Sequence, residues 1–371
     1  MEFTIDRDIF LRSLSHANGI IEKKTTLPIL SNILIEAKAS KIKITATDLD
    51  IIYFEEMVPQ EVKKEGSTTT SASILYDILR KLQSNAKVEL TLLTANKLKL
   101  VSKNSKFNLL CLPSNNFPLL EEDNNQQKFE ISPQKLLKLL NKTKISISND
   151  ETRHYLNGIY LHKMKLENKS FLCGVATDSH RLSSSSIEID PDTNIESIIL
   201  PKKTIFQLIS LLEQSNKPVK ISNNKSMIKF EMDIGVLTSK VIDGRFPDYN
   251  KVVPKDNDKI LEIKLIEFRN SIERVTTVSS DRKEALKMSI SKDSVQLSVN
   301  NPNSGDGVEN IDAKFNSSDF NISFNSRYLM DITSHIENES IVINLKDPGS
   351  PVLIRDFSDK DTFHVVMPMK I

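Results

Sequence analysis

The sequence predicts an α+β fold built three times over along one chain. Three observations carry this expectation. An apolar alternation running into an amphipathic helix begins at Phe3-x-Ile5, Phe129-x-Ile131 and Leu261-x-Ile263, starts that lie 126 and 132 residues apart. A second helical pattern recurs later in each third, and strand-like alternations follow it each time. The length of 371 residues fits two to three domains of roughly 100–200 residues, and the recurrence chooses three.

Each element has a local reason. The first helices are RDIFLRSLSHA, PQKLLKLLNKT and LIEFRNSIERV, in which apolar residues return at helical spacing. The second helices are SASILYDILRKL from Ser71, PKKTIFQLISLL from Pro201 and NSRYLMDITSHI from Asn325. Strands are read in KVELTLL from Lys87, PVKISN from Pro218 and SIVINL from Ser340, where polar and apolar residues alternate. The polar stretches EEDNNQQK after Leu120 and VVPKDNDK after Lys251 place the boundaries, giving domains 1–127, 128–254 and 255–371.

Charge is balanced overall and uneven by parts. The 50 basic and 49 acidic residues leave +1, so no global field draws the chain to nucleic acid or lipid. By domain the counts are 16 basic against 16 acidic, 19 against 14, and 15 against 19. On the helix opening the second domain, Lys135, Lys138 and Lys142 share one face, opposite Leu136, Leu137 and Leu140. A solvated face explains this helix alone. The sharper expectation, a face that contacts phosphates, gains weight from Arg7 and Arg12, and from Arg269 and Arg274, on the equivalent helices.

Several chemistries are excluded or weak. Nine glycines leave little for a phosphate-cradling loop, and no P-loop, HExxH, GxSxG or EF-hand pattern is present. Cys111 and Cys173 have no CxxC partner and read as reduced core residues. The start MEFTIDRD is acidic where an export signal is basic, and no apolar run spans a bilayer, so a cytoplasmic protein without membrane contact is expected. The enzyme alternative is a hydrolase using Asp178, His180 and a nearby serine in VATDSHRLSSSS. The closing VVMPMKI is apolar for a chain end, and either a final core strand or an exposed peptide-binding surface accounts for it.

Ordered words along the chain resemble the bacterial DNA polymerase III beta subunit family, the replicative sliding clamps. They are TLPILSNILI from Thr26, TATDLDI from Thr45, YLNGIYL from Tyr155, ATDSHRL from Ala176, SKVIDGRFPDY from Ser239, FNSRYLMD from Phe324, and VVMPMKI. The resemblance implies three copies of a clamp domain, each with two helices packed on antiparallel sheets, in a ring-shaped head-to-tail homodimer. It implies a non-catalytic processivity factor without cofactor or metal, which holds duplex DNA independently of sequence. Its implied partners are the polymerase III alpha subunit, an ATP-driven clamp loader and other proteins with a clamp-binding motif.

The family's site residues carry over by position. Lys24, Arg153, His154 and Tyr155 match DNA-touching positions, His154 standing where Tyr is common. Phe107 and Leu109 match one side of the dimer interface, and Thr277 and Val278 the other, with Thr277 replacing a bulkier aliphatic residue. Leu156, Thr177, Ser179, His180, Arg181 and Leu182 match one wall of a peptide pocket between domains II and III, and Pro247 and Val252 another. Asn325, Tyr328, Val366, Met367, Pro368 and Met369 complete it. Three departures stand out: Ser179 for the usual Gly, Lys283 for an aromatic residue, and Lys370-Ile371 for Arg-Leu. A two-domain clamp that closes as a trimer is the remaining alternative, disfavoured by the third repeat.

Overall fold

The computed structural model describes residues 1–22, 26–119, 128–278 and 285–370. Lys24, Lys283 and the stretch at the expected 127/128 boundary lie outside the described residues.

In the first third, strand β1 (Glu2–Asp6) runs into helix α1 (Arg7–Asn18), and β2 (Asn32–Lys38), β3 (Lys41–Thr47), β4 (Ile51–Met57), β5 (Glu61–Lys64) and β6 (Gly66–Ser71) follow. Helix α2 (Ala72–Lys81) then leads to β7 (Lys87–Thr94), β8 (Lys97–Ser102) and β9 (Ser105–Leu112). The middle third repeats the order with β10 (Phe129–Ile131), α3 (Pro133–Lys144), β11 (Gly158–Leu166), β12 (Lys169–Thr177), β13 (Arg181–Ile189) and β14 (Ile198–Pro201). Helix α4 (Lys202–Leu212) precedes β15 (Val219–Asn223), β16 (Met227–Met232) and β17 (Gly235–Lys240). The last third has β18 (Lys259–Lys264), α5 (Leu265–Val275), β19 (Ala285–Ile290), β20 (Ser294–Asn301), β21 (Gly305–Phe315) and β22 (Phe320–Asn325). Helix α6 (Ser326–Thr333) and strands β23 (Ser340–Leu345), β24 (Val352–Asp356) and β25 (Thr362–Val366) close it.

The repetition reaches individual side chains. Asp6 caps α1, its carboxylate accepting from Asp8 N at 2.8 Å and Ile9 N at 3.2 Å. Phe10, Leu14 and Ala17 of α1 are buried at i, i+4, i+7, and Phe268, Ile272 and Val275 of α5 repeat that stripe. In α3 the stripe is Leu136, Leu140 and Thr143.

Two strand turns are also copies. In the turn from β3 to β4, Thr47 Oγ1 donates to Ile51 O, and Asp48 Oδ1 accepts from the amides of Asp50 and Ile51. In the turn from β12 to β13, Thr177 Oγ1 donates to Arg181 O, and Asp178 Oδ1 accepts from His180 and Arg181. The turn from β20 to β21 breaks the pattern: Asn301 accepts from Asn303 N, and Gly305 takes the positive φ.

The chain forms two compact units, and they do not follow the thirds. One comprises Met1–Gln134, Asn194–Glu196 and Phe206–Val241; the other comprises Lys135–Thr193, Ser197–Ile205 and Ile242–Ile371. The cause is strand pairing. In the first unit β17 pairs antiparallel with β4 within a 13-stranded sheet, so middle-third strands β10, β15, β16 and β17 extend the first third. In the second unit β13 pairs antiparallel with β25 within a 12-stranded sheet, so β11 to β14 extend the last third.

Candidate partner-binding cleft

The β12–β13 turn is a rigid wall. Asp178 uses one carboxylate oxygen for two backbone amides and the other for Arg181 Nε at 3.1 Å. Arg181 Nη1 reaches Asp331 of α6 at 2.6 Å, and its guanidinium lies 4.4 Å from the ring centroid of Tyr328. Arg181 therefore fixes the position of α6 against the turn. Ser179 sits at φ 77°, in the left-handed region, which costs a non-glycine residue roughly 1–2 kcal/mol. Its hydroxyl has a use, accepting from Arg153 Nη1 at 2.7 Å.

The closing VVMPMKI divides into a core strand and a surface segment. Val365 and Val366 are buried, and β25 pairs with both β13 and β24. Beyond it, Met367 N donates to His180 O at 2.8 Å and Met369 N to Ser323 O at 2.7 Å. Their side chains remain 39% and 37% exposed. Backbone pairing thus holds flexible thioethers at the surface.

Between these walls lies a cavity of about 200 Å³, with Thr177, Ser179, His180, Arg181 and Leu182 on one side. Pro247, Val252 and Met367 face it as the sequence led one to expect. Asp248, Tyr249 and Val365 also line it and were not singled out, although Asp248 and Tyr249 complete the same FPDY word. Leu156 is buried behind the wall, in a cluster with Leu182, Phe246 and Val365. Asn325, Tyr328, Val366, Pro368 and Met369 are not among the lining residues. Tyr328 acts through Arg181, while Asn325 caps α6 by accepting from Arg327 N at 3.0 Å.

The hydrolase reading fails on geometry. Asp178 holds the turn and Arg181 and does not orient the His180 imidazole, so no acid–base–nucleophile chain forms there among the described residues. A serine and a histidine do meet elsewhere: Ser183 Oγ lies 2.7 Å from His364 Nδ1 and 2.7 Å from Ser146 Oγ. All three are buried away from substrate, and burial drives the His364 pKa down to about 3.

The basic residues proposed for phosphate contact divide into two groups. Arg12, Lys135 and Lys138 are exposed and Arg269 is half-buried, with Lys138 paired to Asp359 at 3.0 Å. Arg274 is exposed and shares Glu309. Arg7 and Lys142 correct the expectation of a uniform outward face. Arg7 is buried, donating to Leu79 O at 2.6 Å and Arg80 O at 2.8 Å and pairing with Asp8. Lys142 is buried at the end of α3, bonded to His335 O and paired with Glu337 at 2.9 Å. Each cation satisfies buried carbonyls between elements, a demand helix periodicity does not reveal. Arg153, His154 and Tyr155 lie on a short helical segment next to the cleft wall, Arg153 held also by Asp150 at 2.8 Å and His154 Nε2 3.1 Å from Asp243 O.

Family models for the DNA polymerase III beta subunit match in series: the N-terminal domain over 1–121, the central domain over 130–248 and the C-terminal domain over 250–370. The chain belongs to the DNA polymerase III beta subunit family. The beta sliding clamp of Caulobacter vibrioides is 35% identical over 373 residues, and that of Pseudomonas aeruginosa 30% over 372, each covering all of both chains. A crystal structure of the Caulobacter crescentus beta sliding clamp superposes with a TM-score of 0.97 at 34% identity, covering 100% of this chain and 99% of that one. The Bartonella birtlesii clamp bound to griselimycin gives 0.96 at 37%, covering both chains fully.

Within this beta-clamp family the expected interface residues are placed as follows. On β9, Phe107 is half-buried and Leu109 is buried, facing Leu100 and Leu98 of β8. The apolar side chain this strand exposes most is Leu110, at 84%, with Leu112 on the same face less so. Its parity is opposite to Leu109, which is why matching by position alone passed over it. Thr277 is exposed, its hydroxyl donating to Glu273 O, and Val278 packs partly against the core of the last third.

Proposed function

We propose that the protein is a DNA sliding clamp: two chains close head to tail around duplex DNA, and each offers the cleft under Met367 to a short apolar motif of a polymerase or another DNA-handling protein. The observation that carries the reading is the serial match of three beta-subunit domains along one chain, supported by a formed cleft lined by Thr177, His180, Arg181 and Met367, which the resemblance assigns to motif binding. The domains are taken as 1–127, 128–254 and 255–371. As a clamp on bacterial DNA the protein acts in the cytoplasm; no helix among the described residues is long and apolar enough to cross a membrane.

The mechanism is topological and needs no bond-making step. A closed ring stays on DNA while individual ionic contacts break, so Arg12, Lys135, Lys138, Arg269 and Arg274 serve best as weak, sequence-blind phosphate contacts, joined by Lys24 and the Arg153–Tyr155 segment. Phe107, Leu109, Thr277 and Val278 contribute to closure, with Leu110 added from the structure. Opening the ring falls to a separate ATP-driven loader.

The test loads the chain, with a clamp loader, onto nicked circular DNA and then linearises it. Retention on the circle and rapid loss after linearisation are expected; equal retention on both forms overturns the reading. Met367→Ala should weaken a polymerase-derived motif peptide while leaving the dimer intact.

A further inference from the structure

A second pocket lies beside the cleft and shares with it one residue, Tyr249. Its volume is about 510 Å³, larger than the cleft's 200 Å³ and within the roughly 300–1,000 Å³ of ligand sites. The floor is apolar: Phe171 and Met164 from the β11–β12 hairpin, Phe363 of β25, and Val253. Cys173 also lies there, but burial and the nearby Asp361 push its thiol up to about 12, so it serves as floor and not as nucleophile. The rim carries Lys255, Arg355 and Lys360, all exposed, against the single carboxylate of Asp361. None of the three cations has an ion pair among the described residues.

The divider is held firmly. Tyr249 is tilted on His162 with ring centroids 5.7 Å apart, its hydroxyl 3.0 Å from His162 Nε2. His162 stacks on Tyr160 at 4.8 Å, and Tyr160 on Phe246 at 4.9 Å. A row of four rings therefore supports the ridge between cleft and pocket. A peptide seated in the cleft and continuing over Tyr249 enters a basin with an aromatic floor and a net positive rim.

We propose that this basin is a second docking site, for an extended peptide segment that places an aromatic or long aliphatic side chain on Phe171 and Phe363 and carboxylates on Lys255, Arg355 and Lys360. It deepens the partner-binding reading, on which it rests for its biological use, by adding an acidic flank to the motif. The complementarity is of charge at the rim and of apolar surface at the base, the arrangement that lets a rim set selectivity while a buried anchor supplies affinity.

The probe is a fluorescein-labelled hexapeptide, Asp-Glu-Phe-Leu-Glu-Asp, titrated against the full chain by anisotropy at low salt. Two comparison peptides are its Lys/Arg-reversed twin and the version with Ala for Phe and Leu. Binding of the acidic peptide is expected to exceed both controls, to fall about tenfold or more in K255E/K360E, and to fall in L166S, which alters an exposed lining side chain. Equal binding of the basic twin shows mere apolar adhesion and overturns the proposal. So does equal binding of the Ala peptide, which shows charge attraction alone, or an affinity untouched by K255E/K360E. That variant should still be retained on circular DNA, so failure of the docking site leaves the clamp reading standing.

Discussion

The two strand junctions of the molecule solve one problem with opposite electrostatics. At the first, β4 meets β17, and His16 of α1 is buried beside the seam with Nδ1 2.9 Å from Glu55 Oε2 and Nε2 2.9 Å from Gln214 Oε1. At the second, β13 meets β25, and His364 is buried in the seam itself, opposite Ser183. Both ring nitrogens of His16 face acceptors, which favours an imidazolium; burial above all, and then the nearby His335, Lys142 and Arg181, disfavour one at His364, which faces a hydroxyl. Burial lowers the His16 pKa, but its bonds to Glu55 and Gln214 outweigh that and raise it. Sheet continuity thus joins successive repeats in either case, while the buried polar group is free to be ionic or neutral.

The largest expected effect comes from removing a partner on the ionic side. Glu55→Leu leaves His16 and the Tyr53 hydroxyl without their carboxylate, although Tyr53 keeps Ile234 O at 2.7 Å. The cost should be about 3 kcal/mol, the low end for a broken buried pair, because the imidazole can shed its proton. Ser183→Ala at the neutral junction should cost about 1 kcal/mol. Urea unfolding of both variants measures the difference, and equal losses would erase the contrast between the seams.

Acid and alkali should separate the junctions next. His364 has a folded pKa near 3 against an ordinary value of about 6.5, so its contribution is complete above that ordinary value. It is lost as pH falls from about 6.5 toward 3, on the order of 1 kcal/mol per pH unit. His16 is the reverse: its raised value makes its contribution complete below the ordinary imidazole range and lost as pH climbs through the folded value. Hydrogen exchange at pH 5 should therefore quicken first in β13 and β25, and at pH 9 in β4 and β17. His364→Asn should remove the acid response while the alkaline one persists.

What the sequence made legible follows the same division between pattern and neighbour. Helix stripes, strand alternation and the recurrence of the first helices depend on local spacing, so the element order was readable. Arg7 and Lys142 were misread because periodicity tells which side a side chain leaves the helix, not what another element lays over it. The cleft was found through resemblance at Thr177, His180, Arg181 and Met367; Val365 and Tyr249 join it through the register of β25 and the packing of His162, which no single segment encodes.

A smaller effect should fall on function more than on stability. Arg181→Lys keeps a cation but loses the planar group over Tyr328 and the fork linking Asp178 to Asp331. Isothermal titration with a motif peptide should show roughly fivefold to tenfold weaker binding, about 1 kcal/mol, as α6 loosens from the turn. An unchanged affinity would make the guanidinium incidental to the cleft.

The smallest effect distinguishes the two copied turns that feed the junctions. Leu49 at φ 81° and Ser179 at φ 77° hold the same left-handed position. Leu49→Gly relieves backbone strain but gives up the burial of a side chain only 38% exposed and adds freedom to the unfolded chain, so it should cost on the order of 1 kcal/mol net. Ser179→Gly relieves the same strain but removes the hydroxyl that holds Arg153, so its net change should be closer to zero. Thermal unfolding of the pair decides it: a clear gain at Ser179 would mean the Arg153 contact contributes nothing, and the serine there would lack a structural reason.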